Sequence, residues 1–229
     1  MPTHLVIFDC DGVLVDSERL AVDIDVRALA DLGWAISREE VIHRFLGKSE
    51  ADALIEIEAH LGRPLPARWD EPWAQEYARA FAEELEPVAG VREAVLTLMA
   101  QGYAVCVGSS GGHAKIRRNL VKTGLRDFFA EDIFSAADVE HGKPAPDLFQ
   151  HAAARMGFAP DACVVVEDSQ YGITAAHAAG MRAVGYAGGI TPREQLQAAD
   201  ALICDMADLG ATLARLTGAA PTARTVITP

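Results

Sequence analysis

The stretch 4–17, HLVIFDCDGVLVDS, carries an apolar run from His4 to Phe8 into two aspartates, Asp9 and Asp11, and a turn at Gly12. A short apolar run that stops at such punctuation reads as a fully buried β-strand. Two carboxylates just past its end stand at the mouth of a sheet, where one can attack and the other can move protons. An Asp-x-Asp pair is also common in solvated turns and helix caps, so the rest of the chain must decide.

Working outward, further apolar runs predict strands at 103–109, 132–135, 163–167, 183–186 and 201–204. Between them, 92–101, 114–123, 146–156 and 171–179 carry apolar residues at three and four spacing, and Gly102, Gly124, Gly157 and Gly180 follow as stops. Strand and helix alternate, which predicts an α/β fold: a Rossmann-like, doubly wound parallel sheet covered on both faces. The segments 19–32, 38–45, 50–61 and 73–85 all read as helical and lie between the first strand and the next βα unit. They predict an inserted all-helical cap domain over 17–86, with the α/β core formed by 1–16 and 87–217 and a flexible tail over 218–229.

The chain has 229 residues, half of them hydrophobic, enough for a substantial core. Its net charge of -13 is spread without a basic patch, which argues against nucleic acid or an anionic membrane surface as partner. No stretch reaches the roughly 18 apolar residues of a membrane span, and no basic segment leads into a secretory core. A cytoplasmic protein acting on a small molecule is expected, with a monomer as default and a dimer as the alternative. Cys10, Cys106, Cys163 and Cys204 are scattered singly in apolar runs and read as buried free thiols.

In open α/β sheets ligands sit beyond the carboxyl ends of the strands. The second strand ends in Ser109, Ser110, Gly111, Gly112, where a hydroxyl and free backbone N–H groups at a helix start make a phosphate cradle. Lys143 stands in HGKPAP, 141–146, a segment expected to be extended by its prolines. Val164, Val165 and Val166 run into Glu167 and Asp168. Several carboxylates converging beside one lysine are electrostatically poor unless a hard divalent cation joins them, and oxygen ligands select Mg²⁺ over zinc.

Four pieces in this order, FDCDGVLVDSE, VCVGSS, HGKPAPDLF and VVVEDSQYGITAAHAAGM, resemble the motifs of the haloacid dehalogenase superfamily and span essentially the whole core. The helical insert after the first motif looks like the cap of the subgroup containing phosphoglycolate phosphatase, sugar-phosphate phosphatases and β-phosphoglucomutase. Taken singly, Ser109 reads as a buried strand-end hydroxyl and Lys143 as a surface charge; four motifs in order reverse both readings. The resemblance implies Asp9 as the nucleophile forming an aspartyl-phosphate, Asp11 as general acid and base, and Ser109, Ser110 and Lys143 as phosphate binders. It implies Mg²⁺ held by Asp9, the Asp11 backbone carbonyl, Asp168 and Glu167, the last directly or through water. In similar members the loop matching 44–49 selects the leaving group, which makes Gly47 and Lys48 candidates for specificity.

A phosphomutase shares this chemistry. Mutase-like members carry a histidine in the first cap helix, an arginine farther along the cap, and Ser and Lys after the serine motif. This chain has Ala21, Glu50, Gly111 and Gly112 there, which favours a phosphatase of a sugar or polyol monoester. A dehalogenase would need neither Mg²⁺ nor the pair Glu167 and Asp168. A receiver-like phosphoaspartate module, a signalling or binding protein without turnover, would lack both Asp11 in its role and the insert. Among lesser positions, Asp16 reads as the cap of the first inserted helix. His113 reads as an exposed residue near a helix start, and Trp69 and Trp73 as core of the insert.

Overall fold

The computed structural model describes residues 3–46, 48 and 50–218, without the side chains of Glu50 and Ala51. Six strands, β1 (Leu5–Phe8), β2 (Ala104–Ser109), β3 (Ile133–Ser135), β4 (Cys163–Glu167), β5 (Arg182–Tyr186) and β6 (Ala201–Ile203), form one sheet in the order β3-β2-β1-β4-β5-β6, with all pairings parallel. β1 is fully buried because both faces are covered, and its residues alternate between them. Val6 and Phe8 join one core cluster with Val107, Val166 and Leu98. Leu5 and Ile7 join another with Phe149, Val165 and Ile173. Helices α5 (Val91–Ala100), α6 (His113–Lys122), α7 (Arg126–Phe129) and α10 (Leu209–Thr217) supply the first face; α8 (Asp147–Met156) and α9 (Gln170–Ala178) supply the second.

The order reverses at β1, whose neighbours β2 and β4 come from opposite halves of the chain, and a ligand crevice opens at such a switch point. Register fixes what faces it. Phe8 pairs with Val107 on one side and Val166 on the other, so Asp9, Ser109 and Glu167 come off adjacent strands at one edge.

Four helices follow β1: α1 (Ser17–Asp31), α2 (Arg38–Phe45), α3 (Glu50–Leu61) and α4 (Glu71–Glu84). The first three share an apolar cluster of their own, including Val22, Leu29, Trp34, Val41 and Ile57. Ser37 and Glu40 start α2 with a reciprocal capping box. The two connections of this insert are paired with each other: Asp16 N donates to Glu86 O (3.0 Å) and Val88 N to Leu14 O (3.1 Å). Leu20, Phe81 and Leu85 pack into the core cluster beneath.

Several expectations need correction. Trp34, not Trp69 or Trp73, is the buried tryptophan of the insert, stacked on His60 at 3.7 Å; the other two are half-buried. Asp16 occupies the cap position of α1 but its carboxylate accepts from Arg19 instead of a helical N–H. Cys204 is exposed just past the three-residue edge strand β6. The Lys143 segment is a turn with a cis Lys143–Pro144 peptide, Ala145 N donating to Gly142 O, where an extended segment was expected. The short helix α7 and α10 carry no assignment from the sequence pattern. Gly47 and, apart from Gly218, the tail over 218–229 lie outside the described residues.

Candidate active site

Between the sheet edge and α1, α2 and α4 lies a cavity of about 470 Å³. Asp9, Asp11, Ser109, Ser110, Lys143, Glu167, Asp168 and Lys48 all line it, so each sequence-predicted site residue within the described set is brought to one place. Ala21, Gly111 and Gly112 line it too, so those three positions present no cation to the cavity.

Asp9 follows the last residue of β1, and its N–H donates to Val166 O at 2.9 Å, which continues the β1–β4 pairing to the carboxylate itself. Lys143 Nζ donates to Asp9 Oδ1 and to Glu167 Oε1, each at 2.6 Å, and stands 5.0 Å over the Phe149 ring. Burial alone would lower the lysine, but the two carboxylates outweigh it and hold it charged. Burial lifts the Asp9 carboxyl to about 7, partly opposed by Lys143. Glu167 Oε2 accepts from the N–H (2.8 Å) and hydroxyl (2.9 Å) of Ser169, whose hydroxyl also accepts from Gly172 N at the start of α9. With both oxygens engaged, Glu167 first of all holds Lys143 in place.

Asp11 is held differently. Ser17 Oγ donates to its Oδ1 at 2.6 Å and Lys115 Nζ to its Oδ2 at 2.7 Å. Ser109 Oγ accepts from Gly111 N at 3.2 Å, and Ser135 Oγ donates to Gly111 O at 2.7 Å, which pins the turn that would cradle a phosphoryl group. Lys48 pairs with Glu56, a carboxylate shared with Arg44. His113 pairs with Asp138 at 2.8 Å and does not line the cavity.

Asp9, Glu167 and Asp168 offer oxygens within 4.8 Å of one another. Asp168 Oδ2 and Glu18 Oε2 are buried and receive no hydrogen bond among the described residues. They converge over Gly12 (φ 78°), where a Cβ would lie 2.0 Å from the one and 2.8 Å from the other. Burial raises both carboxyls, Glu18 to about 8; the charges of Asp11, Asp9 and Glu167 raise Glu18 further, and those of Glu18, Glu167 and Asp9 raise Asp168. Orphaned buried carboxylate oxygens facing each other are the donor set a hard divalent cation takes, so the residues present fit such an ion.

Four participants carry no role in the sequence reading, Lys115, Ser17, Glu18 and Ser169, although the last three lie inside the quoted motifs. Lys115 is in the first turn of α6, directly after β2, and Ser17 and Glu18 open α1. Position at the start of a helix that follows a site-forming strand or loop is the signal that could have found them, since such a helix begins at the sheet edge where the crevice opens.

Residues 3–180 match the family described as haloacid dehalogenase-like hydrolases. The chain is 32% identical to 6-phosphogluconate phosphatase of Escherichia coli (strain K12), covering 77% of this chain and 79% of that one. It is 35% identical to hexitol phosphatase B of the same strain, covering 78% and 81%. A crystal structure of a conserved haloacid dehalogenase-like protein from Agrobacterium tumefaciens str. C58 superposes with a TM-score of 0.81 at 36% identity, covering 93% and 98%. With the family matched over most of its length and its fold shared, the chain belongs to the haloacid dehalogenase-like hydrolases.

Proposed function

We propose that this protein is a Mg²⁺-dependent phosphatase of a small sugar or polyol phosphate monoester, working in the cytoplasm as a monomer through an aspartyl-phosphate on Asp9. One observation carries the reading: two carboxylates two residues apart sit in different environments, Asp9 buried against Lys143 and Asp11 held by Ser17 and Lys115. Separate environments are what separate roles, nucleophile and acid–base, require. The similarity to a 6-phosphogluconate phosphatase and a hexitol phosphatase supports the substrate class.

In the first half-reaction an Asp9 oxygen attacks phosphorus, and the bond to the leaving alkoxide oxygen breaks as Asp11 gives that oxygen its proton. In the second, Asp11 takes a proton from water as the water oxygen bonds to phosphorus. The Asp9–phosphorus bond breaks, inorganic phosphate leaves, and Asp11 is protonated again. Lys143 and Ser109 hold phosphoryl oxygens, with Ser110 and the backbone N–H groups of the following turn beside them. Glu167 and Ser169 keep Lys143 aimed at that position. Bound Mg²⁺ would neutralise phosphoryl charge beside the nucleophile, held by Asp9, Asp168 and the Asp11 carbonyl, with Glu167 acting through water. Phosphate monoester hydrolysis needs accelerations approaching about 10²¹, so charge neutralisation and alignment must supply most of the effect. The helices α1–α4 act as a cap that excludes water and selects the leaving group, with Lys48, between α2 and α3, lining the cavity.

The test is phosphate release from a panel of monoesters by wild type and Asp9→Asn, with Mg²⁺ and with chelator. Multiple-turnover release that needs Mg²⁺ and vanishes in the nearly isosteric variant is expected. Retained hydrolysis by purified Asp9→Asn would refute the assignment of the nucleophile.

A further inference from the structure

The cap half of the cavity holds a carboxylate that the chemistry above does not use. Ser17, Ala21 and Asp25 recur at four-residue spacing on one stripe of α1, and all three line the cavity. Ser17 touches Asp11 at the reacting end, so Asp25 stands about 12 Å farther along the helix axis. Its Oδ1 accepts from the Tyr77 hydroxyl of α4. Its other oxygen has no hydrogen-bond partner among the described residues, and the cap side of the cavity is otherwise lined mostly by apolar residues, Val22, Val41, Phe45, Leu46 and Phe81, with Lys48. Burial raises its carboxyl to about 6, against the pull of Tyr77, so it is mostly ionised at neutral pH and accepts hydrogen bonds. The cations nearby are committed elsewhere: Lys48 to Glu56, Arg27 to Glu76, Arg38 to Asp23. A half-buried carboxylate without a matching cation attracts hydroxyl donors and repels a second anion.

We infer that Asp25, held by Tyr77, is a specificity-determining residue that accepts hydrogen bonds from hydroxyls at the far end of the leaving group, selecting extended, neutral polyhydroxy phosphates over those ending in a carboxylate. The inference rests on the phosphatase reading above. A leaving group of five or six carbons spans the distance from the phosphoryl site to Asp25, whereas two or three carbons fall short. Ala21, one turn nearer the reaction, leaves the path open.

Sorbitol 6-phosphate and 6-phosphogluconate make a matched pair, equal in length and different at the distal carbon, and p-nitrophenyl phosphate reports the reaction without that end. We expect wild type to show kcat/KM at least about tenfold higher for sorbitol 6-phosphate than for 6-phosphogluconate. In Asp25→Asn that preference should shrink toward unity. The ratio of sorbitol 6-phosphate to p-nitrophenyl phosphate should fall at least about tenfold, chiefly through KM. Tyr77→Phe should move both ratios the same way by less. Equal or better use of 6-phosphogluconate by wild type overturns the inference even if neither variant folds. So does an equal loss on all three substrates in a folded Asp25→Asn. If wild type hydrolyses none of the three, p-nitrophenyl phosphate included, the phosphatase reading itself falls and takes the inference with it.

Discussion

Gly172→Ala separates two forces of opposite sign. Gly172 is the third residue of α9, and its φ is not in the left-handed region, so on helix propensity alone alanine should stabilise by about 1 kcal/mol. A Cβ at this position, however, would lie 1.8 Å from Glu167 Oε1 and 1.9 Å from its carboxylate carbon. Glu167 cannot step aside cheaply, because it accepts from Lys143, from the Ser169 N–H and from the Ser169 hydroxyl, all buried. Displacing it leaves Lys143, itself buried, with Asp9 as its remaining carboxylate partner. Breaking such a buried pair costs about 3–5 kcal/mol, so the net effect is a loss of about 2–4 kcal/mol. For a chain of this size that lowers Tm by about 5–15 °C. Thermal unfolding with and without Mg²⁺, together with phosphate release, reads both consequences, since a displaced Lys143 can no longer meet the phosphoryl group. A variant more stable than wild type and fully active would refute the buried Lys143–Glu167–Ser169 arrangement and leave only propensity at work.

Other outcomes follow from the same geometry. Lys115→Met should lower kcat about tenfold with a smaller change in KM, because Asp11 loses one of the two contacts that fix its carboxylate; steady-state kinetics in which only KM moves would count against a role through Asp11. Mg²⁺ in large excess should stabilise wild type by up to about 4 kcal/mol. Gly12→Ala should abolish that stabilisation, because its methyl would displace the Asp168 carboxylate, one of the ion's ligands; a thermal upshift undiminished in the variant would refute Asp168 as a ligand. Asp25 gives a pH signature: burial raises its carboxyl from 3.8 to about 6, so the folded state binds the proton more tightly than the unfolded chain. Its contribution, about 3 kcal/mol, is complete below its unfolded value and is lost as pH rises through about 6. Urea unfolding between about pH 4 and pH 7 should therefore show wild type losing stability relative to Asp25→Asn as pH rises, and wild type holding or gaining stability relative to the variant over that range would contradict this environment for Asp25.

The sheet and its catalytic edge were legible because each site residue from a strand closes an apolar run. Asp9, Ser109 and Glu167 end or follow β1, β2 and β4, and parallel register carries strand ends to one level. What was not legible depends on how helices rotate against the sheet. α6 buries Ile116, Asn119 and Leu120, which swings Lys115 toward Asp11, and α1 turns Glu18 toward Asp168; periodicity names the buried face but not which flanking residue reaches the crevice. The same limit explains the tryptophans. Trp34 is buried because α1 ends just before it and its ring stacks on His60 of α3, a contact between elements that no local pattern announces. The turn at Lys143 departs from the local pattern because Pro144 and Pro146 favour extension, whereas the segment closes through the Ala145–Gly142 hydrogen bond and aims the ammonium between two carboxylates. Asp25 carries no signal in the sequence, because a carboxylate at that spacing reads as the solvated side of a helix, and only the fold brings Tyr77 and the cavity wall to it.

Rapid acid quench during turnover of a monoester, followed by peptide mass analysis, shows whether the phosphoryl group passes through Asp9. A phosphoryl adduct confined to the peptide carrying Asp9, formed and lost at rates that match turnover and missing in Asp9→Asn, is the predicted result. An adduct on another residue, or steady hydrolysis by Asp9→Asn with no adduct on that peptide, would contradict the account.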